Sequence, residues 1–154
     1  MMNLLLATLL MVAYITFVVA KFGIPKSISE TYYLLGKMGW LFQVTLFSVA
    51  FLVVPTLIDR SSENTRFLAF LACAGLAFVG AAPLFKRELD GKVHYTSACI
   101  CCGGLVLWQV FNACWVVPLI CFIAVLPPML FDGKRMWWLE IATIVSAYVS
   151  LIWF

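Results

Sequence analysis

Long apolar runs divided by short polar links set the pattern of this chain. The runs fall at about 3–22, 39–58, 67–85, 94–111, 113–131 and 136–154. Each is close to the ~20 residues that an α-helix needs to cross a hydrocarbon core. The pattern predicts an all-α fold: a polytopic transmembrane helix bundle of six spans, forming one domain over residues 1–154. The division of the fourth and fifth runs rests on length. The 38 residues from His94 to Phe131 contain no Lys, Arg, Asp or Glu. As one helix they would reach about 57 Å, against a core of about 30 Å. The run must therefore fold back, and Asn112, with Gln109 and Trp115 beside it, marks the turn.

The links carry their own signals. Pro25 disfavours helix at the residue before it and closes the first run. Ser27 and Glu30 have capping-box spacing, which predicts a short interfacial helix carrying Tyr32 and Tyr33, with Gly36 and Gly39 as break points. Residues 59–66 read as a solvated turn. Pro127 and Pro128 are expected to kink or end the fifth helix. Trp137 and Trp138 form one aromatic belt and Trp153 the other.

Composition narrows the class. Hydrophobic residues make up 65% of the chain and charged residues 11%, with mean hydropathy +1.08. A soluble domain has roughly 25% charged residues, so this is an integral membrane protein with no room for a soluble domain beside the spans. The net charge of +3 is no nucleic-acid signal, because the basic residues flank spans. The first run lacks a basic residue before Lys21, which points to a retained span rather than a cleaved signal. Eight basic residues (Lys21, Lys26, Lys37, Lys86, Arg87, Lys92, Lys134, Arg135) lie on one predicted side, and Arg60 and Arg66 on the other. The positive-inside tendency then puts the odd-numbered links in the cytoplasm and both ends outside. The expected location is a plasma or bacterial inner membrane, crossed several times.

Small residues predict helix packing. Cys73, Ala77 and Ala81 recur every four residues, and Gly75, Gly80, Gly103 and Gly104 lie nearby. The third and fourth spans are expected to pack as a tight hairpin through these positions, Gly75, Ala77, Gly80, Gly103 and Gly104 foremost. Polar residues inside the spans, Gln43, Gln109 and Asn112, are expected to bond neighbouring helices or, alternatively, to line a transport path. All six cysteines fall in apolar segments, so no disulfide framework is read.

Chemistry concentrates at one end. The stretch 80–102 is the most eventful, with Lys86, Arg87, Glu88, Asp90, Lys92 and the single histidine, His94, read as a charged loop at the mouth of the fourth helix. Asp90 and His94 share a face if that helix begins early. Glu140 lies one turn inside the sixth span, where a carboxylate is a functional-site hypothesis by default. The plainer alternative pairs it with Lys134, Arg135 or Lys37. His94, Asp90 and Glu140 are thus the catalytic candidates, though no catalytic motif supports them. Asp132 could join them only in a metal site, for which no tight ligand motif exists; no metal or cofactor is expected. Cys99 and Cys102 have C-x-x-C spacing, but Cys101 between them and the absence of a relay pair argue against redox work.

Gly80-Ala-Ala-Pro83, a short charged link and then His94-Tyr-Thr-Ser-Ala98 resemble the pattern in the DRAM/Frag-type family of six-span membrane proteins and its bacterial relatives. The resemblance covers about 20 residues and the span count, carried by Pro83, His94 and Ala98. It implies a small polytopic protein tied to lipid or membrane organisation; the cysteine cluster is not part of that pattern. The first expectation is therefore a non-enzymatic membrane protein: a sensor, a lipid-binding protein or an accessory subunit. The alternatives are an intramembrane enzyme acting on lipid headgroups through His94, Asp90 and Glu140, or a small transporter. The expected partner is membrane lipid, with a second copy or another membrane protein left open and nucleic acid excluded.

Overall fold

The structure, a computed structural model, describes residues 2–84 and 87–153; of residues 87–90 it describes the backbone alone. Among the described residues there is helix and no strand. The helices are α1 (Met2–Phe22), α2 (Thr31–Leu35), α3 (Trp40–Asp59), α4 (Arg66–Ala81), α5 (Arg87–Phe111), α6 (Val116–Phe131) and α7 (Arg135–Trp153). Short 3-10 turns follow α2, precede α4 and follow it. Among the described residues, five helical stretches are long and apolar enough to cross a membrane: Met2–Phe22, Trp40–Asp59, Glu63–Leu84, Gly91–Phe111 and Arg135–Trp153. The sixth apolar helix, α6, has only 16 residues.

The apolar exterior is what a lipid-facing bundle requires. Leu9, Phe51, Phe70, Ile100, Ile123 and Ile152 all point outward. With water absent from the hydrocarbon core, each backbone N–H and C=O must be satisfied within its own helix.

The long helices form a row in which α1 packs on α3, α3 on α4, α4 on α5, α5 on α7 and α7 on α6. The α4–α5 seam is close. A Cβ on Gly75 would lie 2.7 Å from the Cys101 nitrogen and 2.9 Å from the Ser97 carbonyl, so only glycine lets the two backbones meet there. Gly104 faces Ala72, where a Cβ would sit 3.3 Å away. Two of the expected packing positions fall elsewhere. Gly80 packs on Leu46 of α3, and Gly103 faces open space, with nothing within 4 Å of an added Cβ. The reason is angular: residues 103 and 104 are about 100° apart on a helix, so one seam cannot take both. Ala77 is half-buried.

Two expectations about element ends need correction. From Arg87 onward the charged stretch before His94 is no loop, because α5 already begins there; Lys86 lies outside the described residues. Lys, Arg and Glu are good helix formers, and a helix of 25 residues extends to about 38 Å, so its first turns can stand clear of the core. The double proline does not end α6, which runs on to Phe131 and closes with the Asp132 N–H donating to the Pro128 carbonyl.

The α5–α6 turn falls where Asn112 predicted it, with Ala113 in the left-handed region at φ 63°. Asn112 Oδ1 accepts from the Ser62 N–H and the Thr65 hydroxyl, both at 3.1 Å, and its Nδ2 donates to the Trp108 carbonyl. The Trp108 indole donates to Ser61 Oγ at 2.7 Å. These bonds pin the end of α5 to the 61–65 turn. At the opposite end of the bundle, residues 24–30 form a strap between α1 and α2. The Trp137 N–H of α7 donates to the Lys26 carbonyl at 2.9 Å. Tyr14 of α1 donates to Thr31 Oγ1, which donates in turn to the Ile28 carbonyl.

Candidate functional site

Glu140 is where the strap, α7 and the interior meet. Its Oε2 accepts the Ile28 N–H at 2.6 Å. That bond fixes the strap over the first turns of α7, together with the Trp137–Lys26 bond one turn earlier. The strap is itself rigid. Glu30 accepts the Lys26 N–H at 2.6 Å, the Glu30 N–H donates to Ser27 Oγ, and the Ser27 and Ser29 hydroxyls lie 3.1 Å apart. The Ser27–Glu30 spacing thus makes a capped turn, although Glu30 bonds the nitrogen of Lys26 rather than that of Ser27.

Glu140 lines two adjoining cavities. The inner one, about 100 Å³, lies among α1, the strap, α3, α4, α5 and α7. Its wall is almost wholly apolar and includes Met11, Val49, Ala72, Leu105 and Ala147. It follows α7 from Glu140 to Leu151, about 16 Å at 1.5 Å per residue. The outer one, about 340 Å³, is a vestibule lined by Lys26, Ser27, Glu30, Tyr33, His94 and Tyr95 among others. Ser29, Phe42, Ala98 and Glu140 belong to both walls.

On α7 the inner wall consists of Glu140, Thr143, Ile144, Ala147, Tyr148 and Leu151. That is one helical stripe at i, i+3, i+4, i+7, i+8 and i+11. Tyr148 is the unusual member. Its hydroxyl is buried and finds no hydrogen-bond partner among the described residues. Buried polar atoms are nearly always bonded, and each exception calls for a reason. Sequence reasoning singled out Glu140 but not Tyr148, Thr143 or Ser29. The α7 periodicity, counted from Glu140, was the signal that would have found the first two.

The other candidates separate clearly. His94 reaches the same vestibule as Glu140, its ring 5.8 Å from that of Tyr95. Asp90 lies one turn earlier on α5, and its side chain is outside the described residues. Asp132 stays at the α6–α7 turn, accepting from the Lys134 N–H at 2.9 Å and the Trp138 indole at 2.6 Å. The Lys134 N–H, then the Trp138 indole and the Lys134 charge, hold its carboxyl below the usual carboxylate range. Among the described residues no three His, Cys, Asp or Glu side chains stand close enough to share a metal ion.

All six cysteines are free thiols. Cys73, Cys101 and Cys102 line the inner cavity while Cys99 is exposed on the outside of the bundle, so the two ends of the C-x-x-C face different surroundings. The in-membrane amides bond across or within helices and line neither cavity. Gln43 Nε2 donates to the Gly80 carbonyl at 3.3 Å. Gln109, fully buried, accepts from Ser150 Oγ at 3.0 Å and donates to the Leu105 carbonyl.

No protein-family model, curated protein or solved structure matches this chain.

Proposed function

We propose that this is a multi-pass membrane protein of six spans that binds a lipid non-enzymatically, taking a short stretch of its hydrocarbon into the inner cavity and its head into the vestibule. The observation that carries the reading is the apolar cavity that reaches Glu140, beside a vestibule where Lys26, Ser27, Glu30 and His94 stand among apolar side chains. An apolar cavity excludes water and accepts apolar guests. A carboxylate at its mouth gives the guest a polar end. The partnerless Tyr148 hydroxyl on the cavity wall supports an occupant as well. The positions behind the resemblance to DRAM/Frag-type proteins, Pro83, His94 and Ala98, all line this vestibule, in keeping with a role tied to lipid.

The sixth span is supported by where α6 begins and ends. It starts beside Asn112, pinned to the 61–65 turn, and leads to α7, pinned to the strap. Those two places lie at opposite ends of α3. At 16 residues α6 is about 24 Å long, a shortfall that local bilayer thinning accommodates. The basic residues at the strap end favour a cytoplasmic vestibule by the positive-inside tendency. Labelling cysteines placed at Lys92 and Asn64, with Cys99 replaced by serine, tests this; reagent reaching position 92 from outside reverses the orientation.

Lipid retention tests the binding reading. Protein moved into nanodiscs should carry a tightly held single-chain or multi-chain lipid detectable by native mass spectrometry. Ala147→Phe, which fills the inner cavity, should remove it. Equal retention by both proteins would sink the proposal. His94 and Glu140 facing one vestibule also favour a second reading, an enzyme acting on lipid headgroups. Conversion of the retained lipid, lost in His94→Gln, would establish it instead.

A further inference from the structure

We infer that the head held in the vestibule bears a phosphate, which accepts from the Lys26 ammonium and from the unspent donors of the strap. The inference rests on the lipid-binding reading and names the chemistry of the head.

The strap carries two sets of donors. One set is spent within the protein. The Lys26 N–H serves Glu30, the Ile28 N–H serves Glu140 and the Glu30 N–H serves Ser27 Oγ. The other set is not. Among the described residues the Ser27 and Ser29 N–H groups make no hydrogen bond. The hydroxyls of these two serines have one hydrogen each, and the bond between them uses one of the two. The Lys26 ammonium has three N–H donors and makes no ion pair among the described residues. Lys26, Ser27 and Ser29 all wall the vestibule.

The other ionisable groups described there are Glu30, Tyr33, His94, Tyr95 and Glu140. Glu30 and Glu140 each accept a strap N–H, and neither pairs with the Lys26 ammonium. The cation is left for a guest. A phosphate answers an ammonium and several N–H and O–H donors at once, through charge-assisted bonds about twice as strong as neutral ones. A hydroxyl head leaves the charge unanswered. Ser29 stands on the wall of both cavities. A phosphate beside it lies at the edge of apolar space, where the glycerol of a phospholipid passes into hydrocarbon. That placement favours a lipid phosphate over a free one.

Dihexanoyl-phosphatidylethanolamine and dihexanoylglycerol share their chains and differ in the phosphate-bearing head. Binding of each to the full, delipidated protein in maltoside micelles is measured by native mass spectrometry. The phospholipid should bind at least about tenfold more tightly. Lys26→Gln, which keeps the backbone bonds of residue 26, should narrow that gap several-fold, and Lys26→Arg should restore it. Lys37→Gln, at the same end but outside both cavity walls, should leave it unchanged. Dihexanoylglycerol binding as tightly as the phospholipid overturns the phosphate inference and leaves the lipid-binding reading standing. A gap unchanged in Lys26→Gln, or narrowed equally in Lys37→Gln, also overturns it, since the phosphate is then held elsewhere or by surface charge alone. Glycerophosphoethanolamine and inorganic phosphate, which lack chains, should bind far more weakly. If either matches the phospholipid, the lipid source of the phosphate is overturned. If neither lipid binds, the lipid-binding reading falls with the inference.

Discussion

The two ends of the bundle handle their polar groups in opposite ways. At the 61–65 end Ser61, Ser62, Thr65, Trp108 and Asn112 answer one another, and the closure continues down the α4–α5 seam through Gly104 and Gly75. At the strap end a carboxylate and a vestibule face a cavity, with the Tyr148 hydroxyl partnerless deeper in. The same residue types thus serve two purposes. Where polar atoms meet each other they fix helix positions. At the other end they line open cavities.

The largest expected effect lies on the closed side. Gly75→Leu sets a side chain against the Cys101 backbone, which cannot yield as a flexible side chain would. A loss of about 3 kcal/mol or more is expected, read as a sharp fall in thermal stability in nanodiscs. Gly103→Leu, facing open space, should change stability by less than about 0.5 kcal/mol. Equal effects of the two would mean that the seam is not where the backbones meet.

A smaller effect is expected at the 61–65 end. Asn112→Ala removes three hydrogen bonds and leaves the Ser62 N–H without its partner. It should cost about 1–3 kcal/mol without altering lipid retention by the folded protein. A change in the retained lipid would show that the two ends are coupled.

The smallest effect should have the opposite sign. Tyr148→Phe removes a buried hydroxyl that no atom of the described residues satisfies, so the protein should keep its stability or gain up to about 1 kcal/mol. A clear loss in lipid-free protein would show that the hydroxyl has a partner after all.

Much of the fold was legible because membrane crossing needs long apolar runs, and run lengths are read directly from the chain. Asn112 could be named as a turn since no helix could continue through 38 uncharged residues. The start of α5 was misread for a physical reason. Charge marks departure from the hydrocarbon core, not departure from helix, and here the helix continues from Arg87. Glu140 stood out because a carboxylate inside an apolar run is rare. Its surroundings did not, since the Ile28 N–H is 112 residues away and a backbone donor leaves no trace in residue type. Gly103 and Gly104 look alike in sequence, and only the seam distinguishes them.

The strap's bonds to α7 also bear on the order of assembly. Neighbours in the row α1–α3–α4–α5 are joined by helices close in sequence, so each can pack soon after it is inserted. The bond from Ile28 to Glu140 spans nearly the whole chain. Contacts of such separation form late, after the cost of closing a long loop has been met. Until α7 arrives, the strap lacks its clamp and the inner cavity lacks one wall. The inner cavity is therefore the last part of the molecule to be completed during synthesis, and a nascent chain released before α7 would hold a packed α4–α5 hairpin but no enclosed cavity.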